Sequence, residues 1–269
     1  MGKKAPQTVE EYASIMNYHR QFYCLFNRHI TEYDMSKANI NVLRAYGAIT
    51  EEEYNKLYIL PKIDREREIG MKIRANYQFQ EYITEGVSWA KYMFLSMNNV
   101  DLDSIIRIAN DAIYVDSLTP CMYTSFTKND WTLTFVPKHH FSTYMLLKDV
   151  LFFFGDTGSD YDIEIIGIKD ENLKYHEPFI MFLCKVVDTY YNGGKKMALR
   201  YINDFIYDYL HKNLDMGYYR EFRSDSCWLL NMPGLGTYRT IIQPDNPSQV
   251  NISYNYDILR SVYSYILAA

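Results

Sequence analysis

The chain has 269 residues, of which 48% are hydrophobic and 27 are tyrosine, and this composition excludes an intrinsically disordered protein. The net charge of −5 argues against bulk electrostatic binding of nucleic acid, which would then depend on one local basic face. The four cysteines form no Cys-x-x-Cys pair, so we expect reduced, mostly buried thiols in a cytoplasmic protein.

No membrane segment is predicted. The residues after Met1 contain no apolar stretch typical of a signal peptide. The apolar run 145–154 is interrupted by Lys148 and Asp149, and it is too short to span a bilayer. We therefore expect a protein without a membrane partner.

The N-terminal third begins with a capping signal. Thr8 is followed three residues later by Glu11, which predicts a helix from residue 9 to about residue 20. The segment 22–30 then has the character of a strand that leads into Asp34. Apolar residues at helical spacing predict a helix over 36–46.

Two more helices are predicted before residue 100. Gly47 ends the preceding helix, and the capping box at residues 50–53 opens a short helix to about residue 58. A long helix then begins at Pro61 and continues to about residue 97. Gly70 and Gly86 are weak points within it, at roughly 1 kcal/mol each relative to alanine.

A β-hairpin is predicted over residues 104–116, because two apolar runs flank a tight turn at Asn110 and Asp111. Asp34 also follows a β-type run, so two adjacent strands would each deliver one carboxylate to a common point. Hard oxygen ligands of this kind suit Mg²⁺, which takes one or two protein carboxylates. We therefore identify Asp34 and Asp111 as candidate catalytic and metal-ligating residues. The alternative is that Asp34 is a helix cap and Asp111 is a turn residue.

The rest of the chain changes from strands to helices. Strands are predicted at 122–127, 131–136, 141–147, 150–154 and 162–168, and helices at 177–191, 195–212 and 256–267, with an irregular connection at 215–247. This order predicts an α+β protein with an antiparallel sheet, packed helices and a C-terminal helical tail. We expect one domain at 1–168 and a helical tail at 169–269.

The predicted long helix is rich in cations. Arg67, Lys72 and Arg74 could bind a triphosphate, since arginine makes bidentate contacts with phosphate. They alternate with acidic residues such as Asp64 and Glu66, so the alternative is a solvated helix face with intrahelical ion pairs.

These stretches resemble the palm and thumb of a family-B DNA polymerase. The resemblance implies an antiparallel palm-like sheet in a palm-like domain with short helical fingers at 1–168, and a helical, thumb-like tail at 169–269. Asp34 and the helix entry after it are similar to that family's first motif, and Asn39 occupies the position of the tyrosine that screens the sugar. Residues 110–115 are similar to the second half of the third motif, with Asp111 in place of its essential aspartate. The first aspartate of that motif and the Asn-Ser-x-Tyr-Gly sequence of the second motif are missing, as is an exonuclease portion.

The resemblance implies a nucleotidyltransferase that adds nucleotides to a primer by two-metal phosphoryl transfer. Asp34 and Asp111 would hold Mg²⁺, and Arg67, Lys72, Arg74 and Asn39 would bind the nucleotide. The missing motif parts fit one subunit of a split or truncated viral polymerase. Such a subunit would work in the host cytoplasm on nucleic acid and a nucleoside triphosphate. It would have a protein partner in a replication or viral complex. The alternative is a catalytically silent scaffold or accessory protein in a viral complex. The segment 155–159, which also resembles the third motif, is interpreted as a hairpin turn because Gly158 stands where the metal-binding aspartate is needed.

Overall fold

The computed structural model describes residues 6–21, 23–155, 163–234 and 236–269. It confirms the α+β class, with antiparallel strand pairs and packed helices. The chain forms two compact units. The first contains Met1–Arg20 and His29–His140, and the second contains Gln21–Arg28 and Phe141–Ala269.

The elements are numbered along the chain. The helices are α1 (Val9–Ser14), α2 (Ala38–Ala45), α3 (Glu51–Tyr58), α4 (Lys62–Ala75), α5 (Gln78–Met97), α6 (Asp170–Leu173), α7 (Glu177–Leu210) and α8 (Ser253–Ala268). The strands are β1 (Tyr18–His19), β2 (Cys24–Leu25), β3 (Ile30–Met35), β4 (Ile105–Ile108), β5 (Ala112–Asp116), β6 (Ser125–Lys128), β7 (Trp131–Phe141), β8 (Thr143–Leu147), β9 (Val150–Phe154), β10 (Ile163–Ile166), β11 (Trp228–Met232) and β12 (Gly236–Thr240). Within the described residues, no helix combines the length and the apolar character that a membrane span requires.

The first unit is built on a six-stranded sheet with the order β1-β4-β5-β3-β7-β6. Strand β5 is antiparallel to both β3 and β4, so β3 and β4 run parallel with β5 between them. Helices α2 to α5 connect β3 to β4, which gives a split βαβ arrangement. The core contains Tyr33 and Met35 from β3 and Phe94 from α5, and the Tyr33 and Phe94 rings lie 5.0 Å apart.

Local sequence signals explain the first helices. The Thr8 hydroxyl accepts a hydrogen bond from the Glu11 N–H at the start of α1, and Thr50 and Glu53 form the predicted capping box of α3. Gly47 follows α2 with a φ of +65°, a left-handed conformation that ends the helix and favours glycine.

The second unit has a four-stranded sheet with the order β10-β9-β8-β2 and a separate β11-β12 hairpin. Its core lies between the larger sheet and the C-terminal helices, with Phe152, Phe182 and Leu259 fully buried. Helix α7 is interrupted at Gly194, whose φ of 75° and ψ of 172° are not helical. The predicted break between two helices at residues 192–194 is therefore confirmed.

Several predicted boundaries were wrong. The expected helix over 9–20 ends at Ser14, and the expected strand at 22–30 is reduced to β2. The single long helix is two helices, because Asn76 leaves the helix with a φ of −149° and its side chain accepts a hydrogen bond from the Gln78 N–H at the start of α5. The connection at 215–247 contains the β11-β12 hairpin.

The division into units also differs from the expected boundary at residues 168/169. Strands β8, β9 and β10 form one sheet, and β8 and β9 share a hydrophobic core with α7 and α8. Because these elements bury each other's apolar side chains, residues 141–168 belong to the same compact unit as the C-terminal helices. Strands β9 and β10 pair antiparallel, as a hairpin over 155–159 requires, but residues 156–162 of this turn lie outside the described residues.

Candidate functional site

The structure places Asp34 and Asp111 at the ends of neighbouring strands. Asp34 is paired with Ala112 across β3 and β5, and the Met35 N–H donates to the Asp111 carbonyl at 2.9 Å. A cross-strand pair has Cα atoms about 5 Å apart, so the Cα atoms of Asp34 and Asp111 are separated by no more than about 9 Å. The predicted adjacency of the two strands is confirmed.

Asp34 lies on the sheet face that also carries Glu32. Side chains two residues apart on a strand share a face, and Lys138 lies opposite them on β7. The Lys138 Nζ is 3.9 Å from the Glu32 Oε1 and 3.9 Å from the Asp34 Oδ2, and Glu32 is buried. His139 Nε2 is 4.0 Å from the Glu32 Oε2. Asp34, the predicted metal ligand, therefore lies beside a second carboxylate, Glu32, and both are close to the positive charge of Lys138.

Asp111 lines a cavity of about 420 Å³ together with Asn110 and residues of α2, α4 and α5. Asn39, the predicted sugar-contacting residue, lines the same cavity, as do Glu66 and Gly70 of α4. The structure therefore places the Asp111 carboxylate of the β4-β5 hairpin and the Asn39 amide around one cavity. Asp34 is not among the described residues that line it.

Two residues that line this cavity are hydrogen-bonded to each other. The Asn39 Nδ2 donates to the Glu66 Oε2 at 2.8 Å and connects the start of α2 to α4. Lys37, at the cap of α2, has a left-handed φ of 43°, and the Asn41 Nδ2 donates to the Ser36 carbonyl at 2.6 Å. These local bonds fix the loop between β3 and α2, and they orient Asn39 toward α4.

A buried lysine lies close to the hairpin. Lys91 on α5 is fully buried, and its Nζ donates to the Ile15 carbonyl at 2.5 Å. Burial lowers the Lys91 pKa to about 8, and the negative charge of Asp111 opposes this effect. The Asn17 Nδ2 also donates to the Asn110 Oδ1 at 3.3 Å, so the N-terminal segment is fastened to the turn that carries Asp111.

The three predicted phosphate-binding cations lie outside the cavity lining. Arg67 pairs with Asp64 at 2.8 Å, and Lys72 pairs with Glu53 at 2.8 Å. Arg74 is exposed on the last turn of α4. The face of α4 that lines the cavity carries Glu66, Ile69, Gly70 and Ile73, a spacing that the helical period makes visible in the sequence.

A magnesium site on Asp34 and Asp111 would require both carboxylates to reach one point. Among the described residues, no group of three or more histidine, cysteine, aspartate or glutamate side chains could hold a metal ion. Mg²⁺ needs only one or two protein carboxylates when water and substrate phosphates complete its coordination. Asp34 pairs with Ala112 and contacts Lys138, whereas Asp111 lies opposite Met35 and lines the cavity. Strand alternation therefore directs the two carboxylates to different faces of the sheet, although their backbones lie at adjacent strand ends.

Sequence reasoning missed Glu32, Glu66, Lys91 and Lys138. For Glu32 a signal existed, because the strand period places it on the same face as Asp34. Lys91 had none, since a lysine within an apolar helix face is ordinarily expected to reach solvent. Lys138 comes from a strand that is distant in sequence, so its position beside Asp34 required the sheet order.

Comparison with known proteins gives one family. No curated protein matches the chain. The family described as "Bacteriophage PBS1 gene 130 protein" matches residues 9–266, which cover both compact units. The chain therefore belongs to the bacteriophage PBS1 gene 130 protein family.

Proposed function

We propose that this phage protein is a polymerase-type nucleotidyltransferase that adds nucleotides to a primer, as one subunit of a split viral polymerase. The observation that carries the proposal is the adjacency of Asp34 and Asp111 in a split βαβ unit, beside a cavity that also contains Asn39. The similarity of these stretches to the motifs of family-B DNA polymerases supports the same function.

Asp34 and Asp111 would hold Mg²⁺, which, when bound, lowers the pKa of an attacking hydroxyl and stabilises charge on the phosphate. Asn39 would contact the sugar from the start of α2, in the cavity that Asp111 also lines. The backbone bond from the Met35 N–H to the Asp111 carbonyl would keep the two strand ends in register, and the Asp34 side chain would have to leave Lys138 to share a metal with Asp111. Arg67, Lys72 and Arg74 remain the proposed triphosphate contacts. Arg67 and Lys72 would have to exchange their present partners Asp64 and Glu53.

We expect the protein to work in the cytoplasm of the infected host, on nucleic acid and a nucleoside triphosphate and with a protein partner. The ion pairs of Arg67 and Lys72 favour a second candidate function. Cations that form ion pairs within and between neighbouring helices are typical of residues that stabilise the fold. The alternative is therefore a catalytically silent scaffold or accessory subunit of a phage complex.

Primer extension with Mg²⁺ tests the proposal. We expect Asp111→Asn and Asp34→Asn each to reduce incorporation at least about 10³-fold, and the double variant to be no worse, because residues that act as one unit are not additive. The amide keeps the turn geometry but is a much poorer magnesium ligand than a carboxylate. Thermal melting of each variant shows whether the fold is intact.

Asp156→Asn is the matched control, since Asp156 belongs to the other motif-like segment and should be silent. If activity survives in Asp111→Asn, or is lost in Asp156→Asn, the proposed site has been assigned to the wrong hairpin. A parent chain that is inactive with every template and partner would favour the accessory subunit.

A further inference from the structure

The second unit contains an aromatic cleft that the proposed active site does not use. Its centre is the pair Tyr23 and Tyr265, whose ring centroids are 5.9 Å apart with 30° between their planes. These two side chains line both of two adjoining cavities, of about 410 Å³ and about 460 Å³. We call this pair with its two cavities the tyrosine cleft.

The two rings differ in anchoring and exposure. The Tyr265 hydroxyl donates to the Leu146 carbonyl at 2.9 Å, which fixes that ring against β8. Tyr23 is 64% exposed, although its own carbonyl accepts from the Leu146 N–H at 2.9 Å and holds the backbone in place. The cleft thus exposes the Tyr23 ring to solvent, next to the Tyr265 ring that a hydrogen bond holds in place. The ring pair Phe26 and Tyr190, with centroids 4.3 Å apart, continues the aromatic lining of the first cavity.

Each of the two cavities is lined by one arginine. Arg28 lines the first cavity and Arg260 lines the second, and both side chains are exposed. Asp257 also lines the second cavity, but its Oδ2 is 4.0 Å from the Lys148 Nζ, so its charge is offset. The cleft combines stacking surfaces with flanking arginines inside a protein whose overall charge is negative.

We propose that the tyrosine cleft binds single-stranded nucleic acid, with a base stacked on Tyr23 and the adjacent phosphates beside Arg28 and Arg260. Flat aromatic faces accept any base, and arginine provides charged contacts with the backbone; together these are the features of single-strand binding sites. A polyanion with flat apolar groups fits this combination better than an uncharged peptide does. The site is separate from Asp34 and Asp111, and it does not depend on catalysis.

The test is fluorescence anisotropy of the full chain with labelled oligodeoxythymidylate and oligouridylate of roughly 12 nucleotides, a length within the usual site sizes. We expect Tyr23→Ala to weaken binding about 5- to 150-fold, as loss of one base stack predicts, and Tyr23→Trp to retain it. Tyr207→Ala is the matched control, because Tyr207 is 60% exposed on α7 of the same unit, and it should leave binding unchanged.

The salt dependence separates the charged contacts. Arg28→Gln and Arg260→Gln should each lower the slope of log affinity against log salt by about 0.7, the value expected for one phosphate of a single strand. Binding is measured without Mg²⁺ and without nucleoside triphosphate, so failure of catalysis and failure of this site can be told apart. The proposal is overturned if Tyr23→Ala binds like Tyr207→Ala, if a duplex of the same length competes as well as the single strand, or if the parent binds neither oligonucleotide.

Discussion

His176 is a buried side chain at the start of α7, and one of its ring nitrogens is a hydrogen-bond donor. Its Nε2–H donates to the Arg223 carbonyl at 2.9 Å, and its ring packs edge-on against Phe222 with centroids 4.8 Å apart. Burial lowers the His176 pKa, although the backbone hydrogen bond opposes this, and the nearby Arg220 lowers it further. The neutral ring is therefore the form that the folded state favours.

This burial makes stability depend on pH. The unfolded chain binds a proton at a pKa near 6.5, and the folded chain binds it only at lower pH, so the free energy of unfolding falls as pH decreases from about 6.5 toward the folded pKa. The slope for one proton is at most about 1.4 kcal/mol per pH unit. We expect His176→Gln, which keeps an N–H donor, to flatten the melting temperature between pH 5 and pH 7.

The matched control is His211→Gln, since His211 is exposed at the end of α7. This variant should show the pH profile of the parent. If His176→Gln lost stability toward acid as steeply as the parent does, other groups would be responsible for the acid sensitivity.

At the scale of elements, two glycines with the same sequence signal have different structural roles. A β-carbon added to Gly70 of α4 would meet no neighbouring atom within 4 Å, whereas one added to Gly86 of α5 would lie 2.4 Å from the Val42 Cγ1. Gly86 therefore permits the close approach of α2 and α5 in the core of the first unit. Gly70 has no such packing constraint.

We expect Gly70→Ala to stabilise the protein by about 0.5–1 kcal/mol, because alanine lowers the entropy of the unfolded chain and favours a helix. Gly86→Ala should destabilise it by roughly 1–3 kcal/mol, because the extra methyl group overpacks the contact with Val42. Urea denaturation of both variants measures these changes. Equal effects of the two substitutions would show that the helix contact is not tightly packed.

The features that could be predicted from the sequence are those that depend on a few neighbouring residues. The N-cap at Thr8, the capping box at Thr50, the turn at residues 110–111 and the break at Gly194 each depend on a few consecutive residues. The Asp34–Asp111 neighbourhood could be inferred because both residues follow strands.

Features that depend on distant partners could not be predicted in the same way. The Asn39–Glu66 bond and the position of Lys138 require the packing of α4 and β7 against the rest of the first unit. Glycines and prolines throughout 215–247 predict an irregular connection, yet Gly234 and Gly236 have positive φ angles at the turn and at the start of β12. Because glycine tolerates a positive φ, these two residues fit a hairpin as well as an irregular segment.

At the scale of the whole molecule, the second unit is discontinuous in sequence. Residues 21–28 supply β2, whose Cys24 and Leu25 pair with Met145 and Tyr144 of β8. The same segment provides Phe26, which packs on Tyr190. A fragment cut at the boundary between residues 140 and 141 would therefore lose an edge strand and an aromatic contact of its own core.

We expect a 141–269 fragment to melt at lower temperature than the same fragment with residues 21–28 fused after Ala269 through a short Gly/Ser linker. The fusion is sterically reasonable, because Ala268 and Ala269 line the same cavity as Tyr23 and Arg28. A loss of about 1 kcal/mol would lower the melting temperature by roughly 4 °C. A fusion that carries a scrambled 21–28 sequence is the control, and equal melting of all three proteins would show that β2 contributes no stability.

The early position of β2 has a consequence for synthesis on the ribosome. Its partner β8 leaves the exit tunnel only after the entire His29–His140 segment has been made, so β2 is synthesised long before the strand with which it pairs. During this interval the nascent chain carries a short strand with no neighbour, a state that other polypeptides could capture. Restricting β2 to two residues limits that hazard, since so short a strand is a poor template for pairing between chains.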